Sequence, residues 1–271
     1  MPFRGPLPRI AVSNAGTGIG PHSLVSVARS LGFDGVDFVN RRALPRGREH
    51  EVCRVPTGPG VECSIWLPST SAAQQRLGRP DPSIQGSGRR IILRLPGDPS
   101  HLQEEKTTIR RLVSLCSRDE SADLVTLAIP ASVRHRGRLH LHRIRRVRAI
   151  AEEWDLGIAL DFVDAIDREW EAEAAVALLH DRLAYLRFRV PWRHPGTGDD
   201  AGVIARTLRT CVDVGFDGTV ALAPGLPYWL WWSEAALAKR AHHARLLVAE
   251  FFPGSSSVPQ RARFEEESSR S

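Results

Sequence analysis

The chain has 271 residues, 42% of them hydrophobic and 25% charged, and this composition is typical of a soluble globular protein. No run of 18 apolar residues occurs and the first residues carry no apolar segment, so we expect neither a membrane span nor a secretory signal. The formal net charge of +6 comes almost entirely from arginine, because only two lysines are present, Lys106 and Lys239.

The four cysteines form no C-x-x-C pair and show no spacing typical of zinc ligands. We therefore expect reduced thiols and a cytoplasmic protein. The densest basic run, 134–148, could bind phosphates. An apolar stripe of Ile144, Val147, Ala151 and Trp154 runs through and beyond its second half, which is typical of an amphipathic helix with a solvated basic face. We prefer that interpretation and expect no nucleic-acid partner.

Strands and helices alternate along the chain according to the hydrophobic pattern. Helices are predicted near 24–31, 104–116, within 134–154, and at 170–180, 202–215 and 234–251. Strands are predicted at 9–14, 35–39, 61–68, 89–97, 122–130, 158–164, 183–191 and 218–224.

Eight strands, mostly separated by helices, predict a (β/α)8 TIM barrel, an α/β fold. Several of the strands are continuous apolar runs, as in parallel strands that are covered on both faces. We expect one barrel domain over 1–252, with an irregular loop at 69–88 that could distort the barrel around the third and fourth strands. The segment 253–271 has low complexity and is predicted to be a disordered tail.

The first strand runs into three closely spaced glycines in "IAVSNAGTGIGPHS", residues 10–23. A dinucleotide-binding loop needs G-x-G-x-x-G, and Gly16 and Gly18 fit its first two positions, but the third falls on Pro21. We interpret the segment as a loop at the mouth of the barrel, whose amides could still contact a substrate.

Three segments resemble the recurring motifs of the xylose isomerase-like TIM barrels. They are "ARSLGFDGVDFV" (28–39), "AIAEEWDLGIALDF" (149–162) and "LRTCVDVGFDGTVALAP" (208–224), and "HPGTGDD" (194–200) resembles the loop that precedes the last helix. That superfamily includes sugar-phosphate isomerases and epimerases and the endonuclease IV group. The resemblance implies the barrel fold, a sugar isomerase or epimerase activity and, for many members, a homodimer.

The resemblance also implies a divalent metal, which the family holds with acidic residues and a histidine at strand ends. Asp161 stands at the first of these positions. Arg187, Val190 and Ala223 stand where the family has His, Asp and the last Glu. Because one carboxylate does not hold a catalytic metal, we expect a degenerate site with no metal and no cofactor.

Barrel active sites form at the carboxyl ends of the strands. Asp161 is the candidate for acid–base catalysis, with a structural ion pair as the alternative, and His194 is a second candidate on a loop. The residues expected to contact substrate are Asn14, Asp37, Trp66, Arg94, Arg187, Arg189 and Trp192.

Residues two apart on a strand share a face, so Tyr185, Arg187 and Arg189 all point into the barrel or all point out of it. If they point inward, the two arginines form a clamp for a carboxylate or phosphate. If they point outward, this hypothesis fails. The segment "PYWLWWSEAA", 227–236, holds three tryptophans that could line a pocket, dock a partner subunit or cover a helix.

Two functions follow as hypotheses. The first is a metal-independent isomerase, epimerase or lyase-like enzyme acting on a small anionic hydroxy-carbonyl metabolite. Asp161 would move the proton, and Arg187 with Arg189 would stabilise the developing oxyanion. The second is an inactive barrel that binds a small molecule or a protein partner. The fold alone does not decide between them, because TIM barrels support many functions.

Overall fold

A computed structural model describes residues 7–15, 17–39, 62–67, 89–94, 106, 110, 124–130, 141–162, 172–190 and 199–252. Eight parallel strands form a closed barrel in chain order, which confirms the predicted (β/α)8 fold. The strands are β1 (Arg9–Ser13), β2 (Gly35–Val39), β3 (Glu62–Leu67), β4 (Arg89–Arg94), β5 (Leu124–Pro130), β6 (Gly157–Phe162), β7 (Leu183–Val190) and β8 (Thr219–Pro224).

Five α-helices have described bounds, and each agrees with a predicted helix to within a few residues. The predicted helix 104–116, apart from Lys106 and Arg110, lies outside the described residues, as do the loop 69–88 and the tail 253–271. The helices are α1 (Pro21–Ser30), α2 (Leu141–Glu153), α3 (Ala172–Leu179), α4 (Asp199–Asp213) and α5 (Glu234–Phe251).

The strand register is regular through the region where an irregularity was expected. β3 and β4 pair without interruption from Cys63 with Arg89 to Leu67 with Leu93. Among the described ladders, a register shift lies between β6 and β7, at Ile158. Any irregularity around the third and fourth strands therefore does not extend into the strands themselves.

The two faces of each strand pack against different surroundings. On β7, Leu186, Phe188 and Val190 belong to the large core between the barrel and its helices, whereas Tyr185 belongs to a separate cluster inside the barrel. Three alanines share that inner cluster with the large side chains of Trp66, Ile92 and Tyr185; they are Ala11, Ala159 and Ala221. Small residues on some strands thus leave room for large residues on others.

The basic segment forms an amphipathic helix over 141–153, as predicted. Ile144, Val147 and Ala151 of α2 are buried. Arg148 pairs with Glu152 at 2.7 Å and with Asp181 at 2.9 Å, so its charge is balanced on the protein surface. Of the helices in the described ranges, none is long and apolar enough to cross a membrane.

The seam of the barrel joins the first and last parts of the chain. Ile10 of β1 pairs with Val220 of β8, and the Arg9 amide donates to the Gly218 carbonyl at 3.0 Å. Above the strands, the Gly18 amide donates to the carbonyl of Trp231 at 3.0 Å. The β1–α1 loop and the β8–α5 loop are therefore held against each other at the carboxyl end of the barrel.

Two glycine substitutions should change stability in opposite directions. A Cβ on Gly157 would lie 2.7 Å from the Cβ of Ala184, where the register shifts, so Gly157→Ala should destabilise the protein by about 1–3 kcal/mol. Gly202 lies in α4, and its Cβ would meet only the flexible end of Arg206, so Gly202→Ala should stabilise by up to about 1 kcal/mol. Urea unfolding of both variants measures this, and shifts of the same sign would contradict the packing described.

Candidate functional site

The glycine-containing loop after β1 uses its amides within the protein. The Ala15 amide donates to Ser13 Oγ at 3.1 Å, the Thr17 amide to the Asn14 carbonyl at 3.0 Å, and the Ile19 amide to Thr17 Oγ1 at 3.4 Å. With the Gly18 amide bound to Trp231, these four amides are not directed at a phosphate or substrate. Gly18 is needed for close packing, since a Cβ there would lie 2.6 Å from the ring of Trp232.

The centre of the site is a buried ion pair between neighbouring strands β6 and β7. Arg187 pairs in register with Asp161, and both side chains point into the barrel. Arg187 Nε donates to Asp161 Oδ1 at 3.0 Å and Nη2 donates to Oδ2 at 2.5 Å. This two-point arrangement matches the planar guanidinium to the planar carboxylate.

The same guanidinium also reaches a carboxylate on the far side of the barrel. Arg187 Nη1 donates to Asp37 Oδ2 at 3.4 Å, and Asp37 lies on β2, opposite β6 in the closed barrel. The Tyr185 hydroxyl donates to Asp37 Oδ1 at 2.9 Å, and Trp66 Nε1 donates to the same oxygen. Arg187 therefore bridges two carboxylates on opposite walls.

The ring of Trp66 covers one face of the Arg187 guanidinium, and Tyr185 packs against that ring. The Arg187 Cζ lies 3.6 Å from the centre of the Trp66 ring, a cation–π contact, and Trp66 meets Tyr185 edge to face at 6.0 Å between ring centres. On its other side Tyr185 faces Arg90, whose Nη1 donates to the Ala184 carbonyl at 2.7 Å. Such contacts are strongest where water is excluded, as it is here.

Burial sets the electrostatics of these groups. Asp37, Asp161 and Arg187 are each at most 1% exposed. Burial raises the pKa of Asp37 above its ordinary value of 3.8, and the charge of Arg187 with hydrogen bonds from Ser13, Tyr185 and Trp66 opposes that rise. Burial, together with the charge of Asp37, raises the pKa of the Tyr185 hydroxyl well above 10.0, so this group stays a neutral donor.

The donor set does not fit the divalent metal that the sequence resemblance implied. Within the described ranges, no group of three His, Cys, Asp or Glu side chains converges on a point. Asp37 and Asp161 face the guanidinium of Arg187, which would repel a cation between them. The expected family positions agree with this geometry, because Ala223 carries no ligand atom and Val190 belongs to the outer core.

The two arginines of β7 differ in accessibility although they share a face. Arg187 is buried deep in the barrel, whereas Arg189 is exposed and pairs in register with Ala223 at the carboxyl end of β8. Of the two orientations that the sequence left open, Arg187 has the inward one. A clamp of two open arginines is not formed, because Asp161 and Asp37 already occupy Arg187. Among the described ion pairs, Arg189 takes part in none.

Other predicted site residues divide into buried and undescribed ones. Asn14 and Trp66 are buried at 4% and 3% exposure, and Trp66 contacts both Asp37 and Arg187. Arg94 ends β4, but its side chain lies outside the described part of the structure, and Trp192 and His194 lie outside it altogether.

Two serines complete the network and were not among the predicted site residues. Ser13 hydrogen-bonds to Asp37, and Ser64 hydrogen-bonds to Tyr185. Each pairs in register with Asp37, on either side of β2. Strand alternation points to both, since Ser13 lies two residues after Ala11 and Ser64 two residues before Trp66.

The loop after β8 presents exposed aromatic rings. Trp231 is fixed by a hydrogen bond from Nε1 to the Leu226 carbonyl at 3.0 Å and by an edge-to-face contact with Tyr228. Tyr228, Trp229 and Trp232 are 75%, 79% and 72% exposed. We call residues 227–232 the aromatic loop. Trp231 packs against the core between the barrel and its helices, and the other three rings of the loop are exposed.

Comparison with known proteins identifies the fold. No protein-family model and no curated protein sequence matches the chain. The structure is similar to L-ribulose 3-epimerase, with a TM-score of 0.62 and 14% identity over 97% of this chain and 98% of that one. It is also similar to D-allulose 3-epimerase from Methylomonas sp., with a TM-score of 0.60 and 12% identity over 93% and 99% of the two chains.

A third similar structure is the IolI protein with a bound zinc atom, with a TM-score of 0.60 and 11% identity over 90% of this chain and 99% of that one. Identities this low establish the fold and not the reaction. The chain shares its barrel fold with these structures, and the resemblance carried by its sequence segments is confirmed at the level of the fold.

Asp37 should make stability depend on pH. Because its pKa is raised in the folded state, the folded protein keeps a proton that the unfolded chain has lost. The free energy of unfolding should therefore fall as the pH rises from 3.8 to the folded pKa, and should level off above it. Asp37→Asn keeps an oxygen acceptor but does not titrate, so it should flatten this part of the profile.

Urea unfolding at a series of pH values measures the effect. Asp213→Asn, on the exposed side of α4, is the matched control and should follow the wild-type profile. A wild-type profile that is unchanged by Asp37→Asn would contradict the burial of a titrating carboxyl group at this position.

Proposed function

We propose that this sugar isomerase/epimerase-like barrel acts on a small anionic hydroxy-carbonyl metabolite by acid–base chemistry that needs no divalent metal. The observation that carries the proposal is the bridge from Arg187 to two carboxylates, Asp161 and Asp37, at the centre of the barrel. A base and a fixed positive charge thus lie in one water-excluded place.

The proposed reaction requires these two elements. Removing a proton from the carbon next to a carbonyl leaves negative charge on the carbonyl oxygen, and returning the proton to the other face inverts the carbon. Asp161 is the proposed proton acceptor, because its carboxylate lies directly beside the guanidinium that would stabilise the oxyanion. The guanidinium is the proposed partner of the oxyanion, since it stays protonated throughout.

The preference for an anionic substrate rests on Arg189. It lies on the same strand face as Arg187, nearer the rim, and its exposed guanidinium suits a carboxylate or phosphate. We keep His194 as the proposed second proton-transfer group. The activities named for the similar structures, epimerisation of L-ribulose and D-allulose, provide the class of probe molecules.

The alternative is a barrel that binds a ligand or a partner without turnover. Two observations favour it: Asp161 is 1% exposed and held at both oxygens, and the aromatic loop presents three exposed rings. Exposed Trp and Tyr side chains on an ordered support are typical of protein interfaces. We take a homodimer as the specific form of this candidate.

Proton exchange tests the catalytic proposal without knowledge of the product. The protein is incubated in D2O with L-ribulose, D-allulose and phosphate esters of ketopentoses, and loss of the C3 proton signal is followed by NMR. Asp161→Asn should slow exchange by about 10²–10⁴-fold, and EDTA should leave the wild-type rate unchanged. Asp213→Asn is the control on the surface of α4.

The same samples distinguish the two functions when binding is measured by calorimetry. Exchange that Asp161→Asn leaves at the wild-type rate would exclude Asp161 as the base. Binding by the wild type with no exchange would support the binding alternative.

The aromatic loop makes the homodimer testable. Trp229→Ser and Trp232→Ser together should convert a dimer to a monomer, because the two most exposed tryptophans of the loop are lost. Light scattering across a concentration series measures the mass. Leu246→Ser, a less exposed apolar residue on α5, is the control. A wild type that stays monomeric throughout would exclude a dimer through this loop.

A further inference from the structure

We infer that Arg187 is a resident cation of the barrel interior, whose guanidinium fills a slot shaped for a flat monovalent cation and unsuited to a divalent metal ion. This inference concerns what the interior binds. It holds whether or not the protein turns over a substrate.

The charge of the slot comes from two opposite walls of the barrel. Asp161 on β6 and Asp37 on β2 each place a carboxylate oxygen toward Arg187, at 2.5 Å and 3.4 Å from its terminal nitrogens. Both carboxylates are buried, and both form an ion pair with Arg187. Removing the guanidinium would therefore leave two buried carboxylates without the positive charge that they share, which is costly away from water.

The shape of the slot follows from Trp66. Its ring lies over the guanidinium at 3.6 Å and forms one wall. An aromatic face attracts a flat, weakly hydrated cation but offers no lone pair to a metal ion. On the face that Trp66 covers, a cation in this slot meets the ring and no oxygen ligand.

The number of available oxygens also disfavours a metal ion. Asp37 Oδ1 accepts from the Tyr185 hydroxyl and from Trp66 Nε1, so its capacity is used. Among the described residues, three carboxylate oxygens contact Arg187, two on Asp161 and one on Asp37. Magnesium takes about six ligands and calcium about six to eight, which is more than these three oxygens provide. Edge-on hydrogen bonds to a guanidinium need only the three oxygens.

The experiment removes the side chain and asks which cation returns. Arg187→Ala leaves the two carboxylates and the Trp66 wall in place. Guanidinium chloride at low millimolar concentration should raise the Tm of this variant and leave that of the wild type unchanged, because binding to the folded state stabilises it. Matched concentrations of urea, MnCl2, MgCl2 and ZnCl2 should not raise it. Arg187→Ala combined with Asp161→Asn should lose the guanidinium response.

A Tm increase from manganese, magnesium or zinc that equals or exceeds the guanidinium effect would overturn the inference, as would the absence of any guanidinium effect on a folded Arg187→Ala variant. If that variant does not fold, two measurements on other forms decide. Metal content of the wild type and Asp161→Asn is measured after growth with manganese, cobalt and zinc; stoichiometric metal lost in the variant overturns the inference.

The second measurement uses Arg187→Lys, which keeps the charge but has neither the planar shape nor the two-point contact. It should have a lower Tm than the wild type. A Tm equal to that of the wild type would show that any cation fits the slot. None of these readouts uses turnover, so a failure of the proposed reaction would not be mistaken for a failure of this inference.

Discussion

A single buried guanidinium sets the arrangement of the barrel interior. Arg187 holds Asp161 beside it and Asp37 across the barrel, and no water is needed to balance these charges. Breaking a buried pair of this kind by removing one partner destabilises a protein by about 3–5 kcal/mol, because the remaining charge stays buried. The interior also requires small residues: larger side chains at positions 11, 159 and 221 would fill the volume that Trp66, Ile92 and Tyr185 occupy.

Tyr185 extends this charge pairing to a second arginine, Arg90. Tyr185 stands between Asp37 and Arg90, so the hydroxyl and the ring of one residue meet an anion and a cation. Asp37 and Asp161 provide two negative charges, and Arg187 and Arg90 provide two positive ones. Four buried charged groups thus balance over a short distance, and Asp161 and Arg187 pair directly in register on neighbouring strands. Such a centre has one well-defined geometry, which suits the positioning of a ligand above it.

Much of the fold could be predicted from the sequence because parallel strands are long apolar runs separated by amphipathic helices. The sixth strand and the last helix lie close to where the pattern places them. The position of Asp161 and Arg187 near strand ends predicts them as site residues, but strand alternation alone leaves open whether Arg187 points inward. Their pairing with Asp37 could not be predicted, since it depends on which strands face each other across a closed barrel.

The sequence also could not predict how deep along the barrel axis each inward-facing side chain lies. Arg187 and Arg189 share a face of β7, but Arg189 lies two residues nearer the rim. Arg189 is therefore exposed, whereas Arg187 is buried. Likewise, the glycine pattern after β1 resembles part of a phosphate-binding loop. In the structure Gly18 packs against Trp232, a residue more than two hundred positions further along the chain, and the sequence pattern gives no sign of this contact.

The seam between β1 and β8 has a consequence for how the chain is made. The first strand emerges from the ribosome before its partner β8 and before the Trp231 carbonyl that receives the Gly18 amide, both of which lie more than two hundred residues further along the chain. Until β7 and β8 have been made, β1 presents an open edge and Asp37 lacks the arginine that pairs with it. Closure of the barrel and assembly of its charged centre therefore follow the synthesis of these strands, and the nascent chain has to avoid association through the open edge in the meantime.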